Sequence, residues 1–596
     1  MNRELWQPGV LGVAVAAAVA LSGIEIARQP SVFAAAAPPS ARETLRVGMW
    51  TLWHDREVRL TPAASPRKTE LRTCAQCAPL NLTQPAQIRA EGDALAVTMA
   101  GKTLHADRVW IDGTTTLAAH GETVTLDNPV TIAARGAALT IAVTLPVESY
   151  VERVVASESG PADSVESLKA LAIVVRSFAL HEEHGHADFD VCDSTHCQLL
   201  RWNGAGREQA AAHAATLKTA GETLWFHGQR ALAYFSKDCG GHTASPEEIW
   251  PKARPEAYLP SRADHYCTAD GGSEWSAELT RADLTAILAA RGLARPGWQS
   301  VSVARRGESG RAVTLKIDAM EVDAEEFRLA VGQGLGWNRI PSTLFEVSRD
   351  GDRFLFHGRG WGHGVGLCQK GAAAMAAQNF AASQILAQYF PGAEAADEAS
   401  GLTWRSDAGS GFVLETLDAA DSVYLPELDR TRALATERSG LNSADPITVR
   451  AFDSTPAFRG ATLEPGWVAA FTEGQWIGTQ PLRTLAARHL LDETMLHEFL
   501  HALVEREAGA RAPLWLREGL VEAWSSGNSG LRRAPAIRLE ALDAALAQSS
   551  NEEESEAAHR AAGWYSARLL NQYGRAQTLE WLRSGVPGGV VSSLGL

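Results

Sequence analysis

The chain has 596 residues, more than one hydrophobic core usually serves, and this length indicates about three or four domains. With 45% hydrophobic and 21% charged residues, it has the composition of a globular protein and not of a collagen, a coiled coil or a wholly disordered chain. Acidic residues outnumber basic ones by 70 to 55, a formal net charge of −15. This balance argues against non-specific nucleic-acid binding, which needs a basic surface.

The N-terminus has the pattern of an export signal. Residues 9–24 are an uncharged apolar run with Arg3 before it and the small-residue stretch SVFAAAAPPSA after it. The run is short for a bilayer span, which needs ~20 residues. We therefore predict a signal peptide over residues 1–36, with an uncleaved membrane anchor as the alternative, and expect the remainder outside the cytoplasm, in the periplasm, the cell wall or the medium.

The chain contains seven cysteines, so at least one thiol lacks a partner within the chain. Disulfides form in extracytoplasmic compartments. Cys74 and Cys77 have no second CxxC pair to complete a zinc site, and we predict a local disulfide between them. Cys239 and Cys267 are a second candidate pair, which leaves Cys368 as the odd cysteine.

Patterning divides the mature chain into four parts and predicts an α+β fold. Residues 40–145 alternate short apolar runs with Gly, Asn and Asp, which indicates β-strands. Residues 146–391 combine helical patterns, strands and a glycine-rich loop. Residues 392–412 are small, acidic and weakly patterned, as a linker is, and residues 413–596 begin with short strands and become mainly helical.

One glutamate continues the apolar face of a predicted helix. Val151 and Val154 share a face of residues 147–158, and Glu158 follows them at helical spacing. A carboxyl group held against apolar surface stays protonated closer to neutral pH, and a general acid in glycosidic-bond cleavage requires this property. From spacing alone, a helix-end glutamate that reaches water is the commoner case.

Four ordered blocks around Glu158 resemble the stage II sporulation protein D family, also called SpoIID/LytB or the amidase-enhancer family. They comprise VESYV and VVASE within residues 147–158, residues 166–179, SKDCGGHT followed by EIW within residues 236–250, and GWGHGVG followed by Gln369 and Gly371. The resemblance implies a β-rich N-terminal part and a helix-pair core.

The resemblance also implies an activity. In the family, the glutamate that matches Glu158 is the acid/base of a lytic transglycosylase, which cleaves between the MurNAc and GlcNAc sugars of glycan strands stripped of stem peptides. Other members enhance a partner amidase, so binding without cleavage is the alternative.

The glycines at 358–366 do not fit the GxGxxG pattern of dinucleotide-binding loops, and we expect no bound nucleotide. Residues implied to contact the sugar are Ser236, Gly240, Gly241, Trp361, His363 and Gln369.

A cluster of thiols and imidazoles lies between residues 186 and 197. Four such groups can complete a tetrahedral zinc site; the alternative is a disulfide between Cys192 and Cys197 with incidental histidines. The family carries a similar stretch that binds a structural zinc in some members, and this favours zinc. His184 competes as a ligand with the first histidine of the predicted set, which is His186, Cys192, His196 and Cys197.

A second chemistry is indicated near the C-terminus. His497 and His501 lie four residues apart on one face of an apolar-periodic helix with Glu498 between them, the HExxH pattern in which two imidazoles bind zinc and the glutamate polarises a water. A helix with two surface histidines is the commoner origin of this pattern. The stretch PLWLREGLVEA resembles gluzincin-type metallopeptidases, which implies Glu518 as the third ligand, with Glu522 as the alternative.

Together these patterns predict an exported peptidoglycan-remodelling enzyme, a lytic transglycosylase with an appended zincin-like metallopeptidase domain. The expected partners are glycan strands and an amidase or other wall hydrolase, and zinc is the expected cofactor. Two alternatives stay open. The chain is a non-catalytic glycan-binding scaffold that stimulates an amidase, or it is a zinc peptidase held at the wall by the SpoIID-like part.

Overall fold

The structure is a computed structural model. It describes residues 44–63, 68–160, 163–181, 185–204, 207–464, 468–526, 536–548 and 552–594. The predicted signal peptide, residues 1–36, lies outside the described residues. Among the helices within those ranges, none is long and apolar enough to cross a bilayer. The predicted α+β class is confirmed, since helices and strands are mixed along the chain.

Residues 44–146 form strands of two sheets, in agreement with the β pattern of this part. One sheet has the strand order β13-β1-β12-β11-β8-β3-β4 and the other β10-β9-β2-β5-β6-β7, and their inward-facing residues share one core. The predicted disulfide joins Cys74 to Cys77. The strands are β1 (Thr44–Met49), β2 (Glu57–Pro62), β3 (Glu70–Arg72), β4 (Leu80–Asn81), β5 (Ala86–Glu91), β6 (Ala94–Met99), β7 (Lys102–Ala106), β8 (Arg108–Asp112), β9 (Thr115–Ala119), β10 (Glu122–Leu126), β11 (Val130–Arg135), β12 (Ala138–Pro146) and β13 (Val191–Cys192).

Three helices pack beside these sheets. α1 (Val147–Glu158) starts directly after β12, and both α2 (Val165–Ala179) and α3 (Arg207–Lys218) pack against it. The backbone N–H of Ser164 donates to Ser167 Oγ at 3.0 Å, so Ser164 caps the N-terminus of α2. α2 is apolar on nearly every face, which is the pattern of a helix surrounded by protein.

A buried ion pair fixes α1 against α2. The side chain of Arg176 is fully buried and that of Glu148 is 8% exposed. Arg176 donates to both carboxylate oxygens, at 2.8 Å from Nε and 2.5 Å from Nη2. Its Nη1 also donates to the carbonyl oxygen of Glu222 at 2.9 Å. This bidentate geometry sets the angle at which α1 carries its C-terminal residue, Glu158.

The following residues form small sheets and short helices. Strands β19 to β24 and helices α5 and α6 enclose a separate small core. The elements are β14 (Glu222–Phe226), β15 (Gln229–Arg230), β16 (Phe235–Ser236), β17 (His242–Thr243), α4 (Pro246–Ile249), β18 (Arg262–Ala263), β19 (Glu274–Thr280), α5 (Arg281–Ala290), β20 (Val301–Arg306), β21 (Ala312–Ile317), β22 (Met320–Asp323), α6 (Ala324–Leu335), β23 (Phe345–Asp350), β24 (Arg353–Arg359), β25 (Leu367–Cys368), α7 (Gln369–Ala377), α8 (Ala382–Tyr389) and β26 (Glu394–Asp397).

The C-terminal residues form a five-stranded sheet of order β27-β28-β29-β31-β30 covered by helices. Strands β28, β29 and β31 are parallel, whereas the edge strands β27 and β30 are antiparallel to their neighbours. The elements are β27 (Arg405–Gly409), β28 (Phe412–Thr416), a 3-10 turn (Ala419–Tyr424), α9 (Leu425–Ser439), β29 (Ile447–Ala451), α10 (Thr455–Thr462), β30 (Ala470–Glu473), β31 (Trp476–Thr479), α11 (Leu482–Ala487), α12 (Leu491–Glu507), α13 (Leu514–Ser525), α14 (Leu539–Gln548), α15 (Glu552–Ser584) and α16 (Gly588–Leu594).

The segment predicted as a linker, residues 392–412, contains regular structure. β26 pairs with β14, and β27 pairs with β28 of the C-terminal sheet. The segment therefore belongs to the two sheets that it connects, although its composition is that of a loop.

The C-terminal part packs closely on the part that carries α1. Arg450 is buried between two carboxylates, with its Nη2 2.7 Å from Glu222 and its Nε 2.7 Å from Glu415. His213 of α3 bridges two more, with its ring nitrogens 2.7 Å from Glu152 and 2.9 Å from Glu473. The Arg450 contact is buried and the His213 contact is half-exposed, and both link charged groups across the boundary between the two parts.

Candidate functional site

Glu158 is the last residue of α1, at the end of the predicted apolar stripe. Val147 is 7% exposed, and Val151 and Val154 are fully buried, whereas Glu158 is half-buried where the stripe meets the surface. The helix ends at Ser159, whose extended backbone turns the chain away. The helix therefore presents this carboxyl group at the margin of the core.

The surroundings of Glu158 keep its carboxyl group protonated at pH values close to neutral. Burial raises the pKa of the Glu158 carboxyl from 4.5 to about 7. The charges of Lys237 and Arg201 and the backbone amide of Leu199, which donates to the carboxylate, oppose this shift without cancelling it. Glu158 can therefore donate a proton and take one back at the same pH.

Three residues predicted to bind sugar belong to segments beside Glu158. Gln369 begins α7, and its Nε2 donates to the Glu158 carbonyl oxygen at 3.4 Å. Lys237 extends its ammonium to 5.3 Å from the ring centre of Trp361, which is 43% exposed. Ser236 is buried beside them, and its Oγ has no hydrogen-bond partner among the described residues. These groups form a surface with an acid, a cation and an open aromatic ring.

The other predicted sugar-binding residues have evident roles in the fold. His363 packs against Trp250 with ring centres 5.1 Å apart, and burial lowers its pKa to about 4, so it is neutral at pH 7. Gly240 and Gly241 have φ of 73° and 96°. The positive φ of Gly240, together with a Cβ position 2.8 Å from a methyl group of Leu344, favours glycine there. Sugar contact by these three residues stays a prediction.

The thiol–imidazole cluster is assembled as predicted. Ligand atoms of His186, Cys192, His196 and Cys197 all lie within 4.8 Å of one another. The two Sγ atoms are 3.0 Å apart and not bonded, and His186 Nε2 is 3.2 Å from Cys197 Sγ. A tetrahedral zinc with these ligands separates them by roughly 3.4–3.8 Å, so a small adjustment admits the ion. The competing residue His184 lies outside the described residues.

The cluster also supports the carboxyl group of Glu158. The residues after Cys197 lead directly to the acid: Tyr150 donates to Gln198 Oε1 at 2.9 Å, and Leu199 supplies the backbone amide that binds the carboxylate. A metal at the cluster would therefore hold the segment that carries Gln198 and Leu199 beside Glu158.

The histidines of the HExxH pattern and Glu518 lie near one another. His497, Glu498 and His501 lie on α12, and Glu518 lies on α13. His501 Nε2 is 3.1 Å from His497 Nε2 and 3.6 Å from a Glu518 oxygen. Two ligand atoms on a tetrahedral zinc are roughly 3.4 Å apart. The two separations measured from His501 are close to this value, and zinc binding by the three predicted ligands stays a prediction.

Further residues complete this second site. His559 of α15, which the sequence patterns did not single out, places Nε2 3.5 Å from the same Glu518 oxygen. Glu498 is 7% exposed, and its carboxylate accepts a hydrogen bond of 2.6 Å from Thr472 of the edge strand β30. The general base of the HExxH pattern is therefore held against the edge of the sheet.

Comparison with known proteins identifies a family for part of the chain. The sequence profile of the stage II sporulation protein (SpoIID) family matches residues 135–226, and that of a domain of unknown function (DUF8618) matches residues 261–366. An uncharacterized protein of Brachyspira hyodysenteriae is 31% identical over 256 residues, which is 42% of this chain and 67% of that protein. The chain belongs to the SpoIID family.

Two SpoIID relatives come from Bacillus subtilis. Its stage II sporulation protein D is 26% identical over 42% of this chain and 74% of its own length. Its amidase enhancer is 24% identical over 40% of this chain, but the match spans only 39% of that protein. Residues 413–596, with the HExxH site, lie outside the two profile matches.

Sequence patterns missed two cations of the SpoIID site. Lys237 lies inside a matching block but was not nominated, and Arg201 follows the thiol–imidazole cluster. The positive charges of both act on the Glu158 carboxylate, but the two residues lie far from Glu158 in sequence, and periodicity describes only neighbouring residues. A basic residue beside each of two family blocks was the signal available.

Proposed function

We propose that this protein is an exported lytic transglycosylase of peptidoglycan, with Glu158 as its single acid/base. The observation that carries the proposal is a half-buried carboxyl group with a pKa of about 7 beside Lys237 and the exposed ring of Trp361. The family membership supports a role at the cell wall, since relatives are named for sporulation and for enhancement of an amidase.

One carboxyl group suffices for this reaction. Protonated Glu158 gives its proton to the glycosidic oxygen, and the C1–O bond of MurNAc breaks with its electron pair on the departing GlcNAc oxygen. The carboxylate then accepts the proton of the MurNAc 6-hydroxyl while that oxygen bonds C1. A 1,6-anhydro ring forms, no water is consumed, and Glu158 ends protonated. Lys237 favours the carboxylate between the two steps, and Trp361 offers its face to a sugar ring.

The rate of glycan cleavage is expected to depend on pH through Glu158. The free enzyme must hold the proton, so kcat/KM should be level below pH 7 and fall about tenfold per pH unit above it. The raised pKa has a second consequence. The folded state binds this proton more tightly than the unfolded state between pH 4.5 and about 7, so the contribution to stability is lost as pH rises through that window.

Both consequences can be measured on the full-length protein. Initial rates on peptide-stripped glycan strands give the activity profile. Thermal unfolding of wild type and Glu158→Gln gives the stability profile. The stability of the wild type relative to the variant should decrease as pH rises from 5 to about 7. An activity that increases through pH 7, or a stability difference that does not change with pH, contradicts the assignment.

A non-catalytic scaffold is the second candidate, favoured by the relative named an amidase enhancer. It would use the Trp361 surface to bind glycan without cleaving it. Sedimentation with peptide-stripped strands distinguishes the two functions, because a scaffold leaves the strands intact while it pellets with them. A transglycosylase also pellets, but it releases soluble fragments.

For the C-terminal part, we propose a zinc peptidase site with His497, His501 and Glu518 as ligands and Glu498 as the base. A bound zinc supplies a polarised water as nucleophile. Glu498 is positioned by Thr472 to take a proton. Among the described strands, β30 pairs only with β31, so its outer edge is available to an extended peptide. This favours a peptide as substrate.

The zinc proposal predicts a loss that elemental analysis detects. His501→Ala should remove one zinc per chain and abolish chelator-sensitive proteolysis, whereas Glu498→Gln should keep the zinc and lose only proteolysis. His105→Ala is the matched control, because its side chain is 66% exposed and it lies far along the chain in β7. An unchanged zinc content in the His501→Ala variant contradicts the proposed ligand set.

A further inference from the structure

Three cysteines meet in the interior of the SpoIID part. Cys239 follows β16, Cys267 follows β18 and Cys368 ends β25, and all three are fully buried. Their Sγ atoms and one oxygen of Asp264, which is 1% exposed, all lie within 4.8 Å of one another. The predicted disulfide between Cys239 and Cys267 is wrong, because all three thiols are unbonded. Spacing in sequence showed neither the third thiol nor the carboxylate beside this pair.

The geometry around these four groups resembles a coordination shell. The Cys239 Sγ lies 3.2 Å from Asp264 Oδ2. Backbone amides of Cys239 and Gly371 donate to the Cys368 sulfur at 3.3 and 3.4 Å, and such donors favour a thiolate. Three thiolates and one carboxylate are ligand types that Zn²⁺, a borderline-soft cation, binds in proteins.

A ring of hydrogen bonds holds the carboxylate in place. Tyr389 donates its hydroxyl to Asp264 Oδ2 at 2.9 Å, and the amides of Tyr266 and Cys267 donate to Oδ1 at 3.1 Å each. Outer partners of this kind commonly orient metal ligands.

The charges around the cluster suit an anionic centre. Arg311 is fully buried, and its Nη2 donates to the Cys239 carbonyl oxygen at 2.8 Å. Its Nε has no hydrogen-bond partner among the described residues. Lys370 lies 3.7 Å from Asp238, a buried carboxylate that contacts the Cys267 thiol at 3.0 Å. Three thiolates, the Asp264 carboxylate and a divalent ion carry two net negative charges, and an ionised Asp238 adds a third, so Arg311 and Lys370 offset most of this charge.

We propose that Cys239, Cys267, Cys368 and Asp264 bind one structural zinc ion. The four ligands leave no open position, which is the arrangement of a structural rather than a catalytic site. Binding releases the three thiol protons and changes no oxidation state. A disulfide between any two of the cysteines would leave the third as a buried thiol and the carboxylate beside it, whereas zinc engages all four groups.

This site would fasten the two loops that carry the candidate sugar-binding residues. β16 and β25 are paired with Ser236 opposite Cys368, and Asp238 exchanges backbone hydrogen bonds of 3.1 and 2.7 Å with Trp361. The ion would therefore fix the backbone segments that carry Lys237 and Trp361. The proposal does not depend on the catalytic role of Glu158.

The experiment is zinc analysis of full-length protein purified without reductant. The double variant Cys239→Ala/Cys368→Ala should contain one zinc per chain less than wild type, and Asp264→Cys should retain it, because a fourth thiolate replaces the carboxylate. The variant Cys192→Ala/Cys197→Ala is the control for the other cluster, and the loss there should add to this one. Unchanged zinc in Cys239→Ala/Cys368→Ala would overturn the proposal.

A second measurement uses only wild-type protein, so it does not depend on whether the variants fold. Wild-type protein is denatured with chelator and alkylated without reduction. All five cysteines that the structure leaves unbonded should take the label. Peptide mapping that finds Cys239 joined to Cys267, with no label on either, would overturn the proposal even if the variants fail to fold.

Discussion

Glu158→Gln is expected to lower the rate of glycan-strand cleavage by about 10²–10⁴-fold, the usual contribution of a general acid/base. The amide is nearly the same size as the carboxyl group but can neither give nor take the proton. Because the neighbours Lys237, Leu199 and Gln369 are unchanged, binding to the strands should persist. Release of soluble fragments and sedimentation with the strands measure the two effects on the same samples.

Glu152→Gln is the matched control for this prediction. Glu152 lies on the same helix, but its carboxylate binds His213 and Gln209 of α3 on another face. The variant should keep its cleavage rate. Equal losses in the two variants would indicate damage to α1 and not the removal of an acid, and full activity in Glu158→Gln would refute the assigned role.

Arg176→Met is expected to lower the free energy of unfolding by about 3–5 kcal/mol, because it leaves the Glu148 carboxylate buried without its cation. The pair is almost wholly removed from water and joins α1 to α2 by two hydrogen bonds. Urea unfolding of the full-length protein, followed by tryptophan fluorescence and circular dichroism, measures the change.

Two comparisons make this result interpretable. Arg176→Met/Glu148→Gln should recover much of the lost stability, because no unpaired charge is left in the interior. Arg560→Met removes the helix-surface pair with Glu556, whose arginine is 60% exposed, and should change stability by less than about 1 kcal/mol. If the two single variants behave alike, the ion pair does not fix the helices.

Local periodicity predicted the two helices that carry the proposed chemistry. The 3.6-residue pattern placed Glu158 at the end of an apolar stripe, and the same pattern placed His497 and His501 on one face. These are properties of single helices, and the sequence of each helix specifies them. The N-terminal strands were predictable for the same reason, since alternation is local.

Contacts between distant segments were not predictable in this way. Lys237 approaches Glu158 from another segment, and His559 approaches Glu518 from α15. The Cys239–Cys267 pairing was wrong because spacing contains no information about which thiols meet in space. The residues 392–412 were taken for a linker because their small acidic composition is also compatible with edge strands such as β26 and β27.

The contact between the two parts bears on how they work together. Arg450 bridges Glu222 and Glu415 in the interior, and Ala220 packs with Phe452 and Phe458 in a shared apolar cluster. Glu222 also accepts a hydrogen bond from Arg176 through its backbone oxygen. The HExxH part is therefore attached at the start of β14, which also binds Arg176 of α2.

The most direct test of the central claim is mass spectrometry of the ends formed when wild-type protein acts on peptide-stripped glycan strands. We expect 1,6-anhydro-MurNAc ends with wild type and none with Glu158→Gln, because the same carboxyl group breaks the bond and closes the ring. Reducing MurNAc ends would show a hydrolase that uses water, and no new ends from protein that pellets with the strands would show a scaffold. Either result would contradict the proposed transglycosylase.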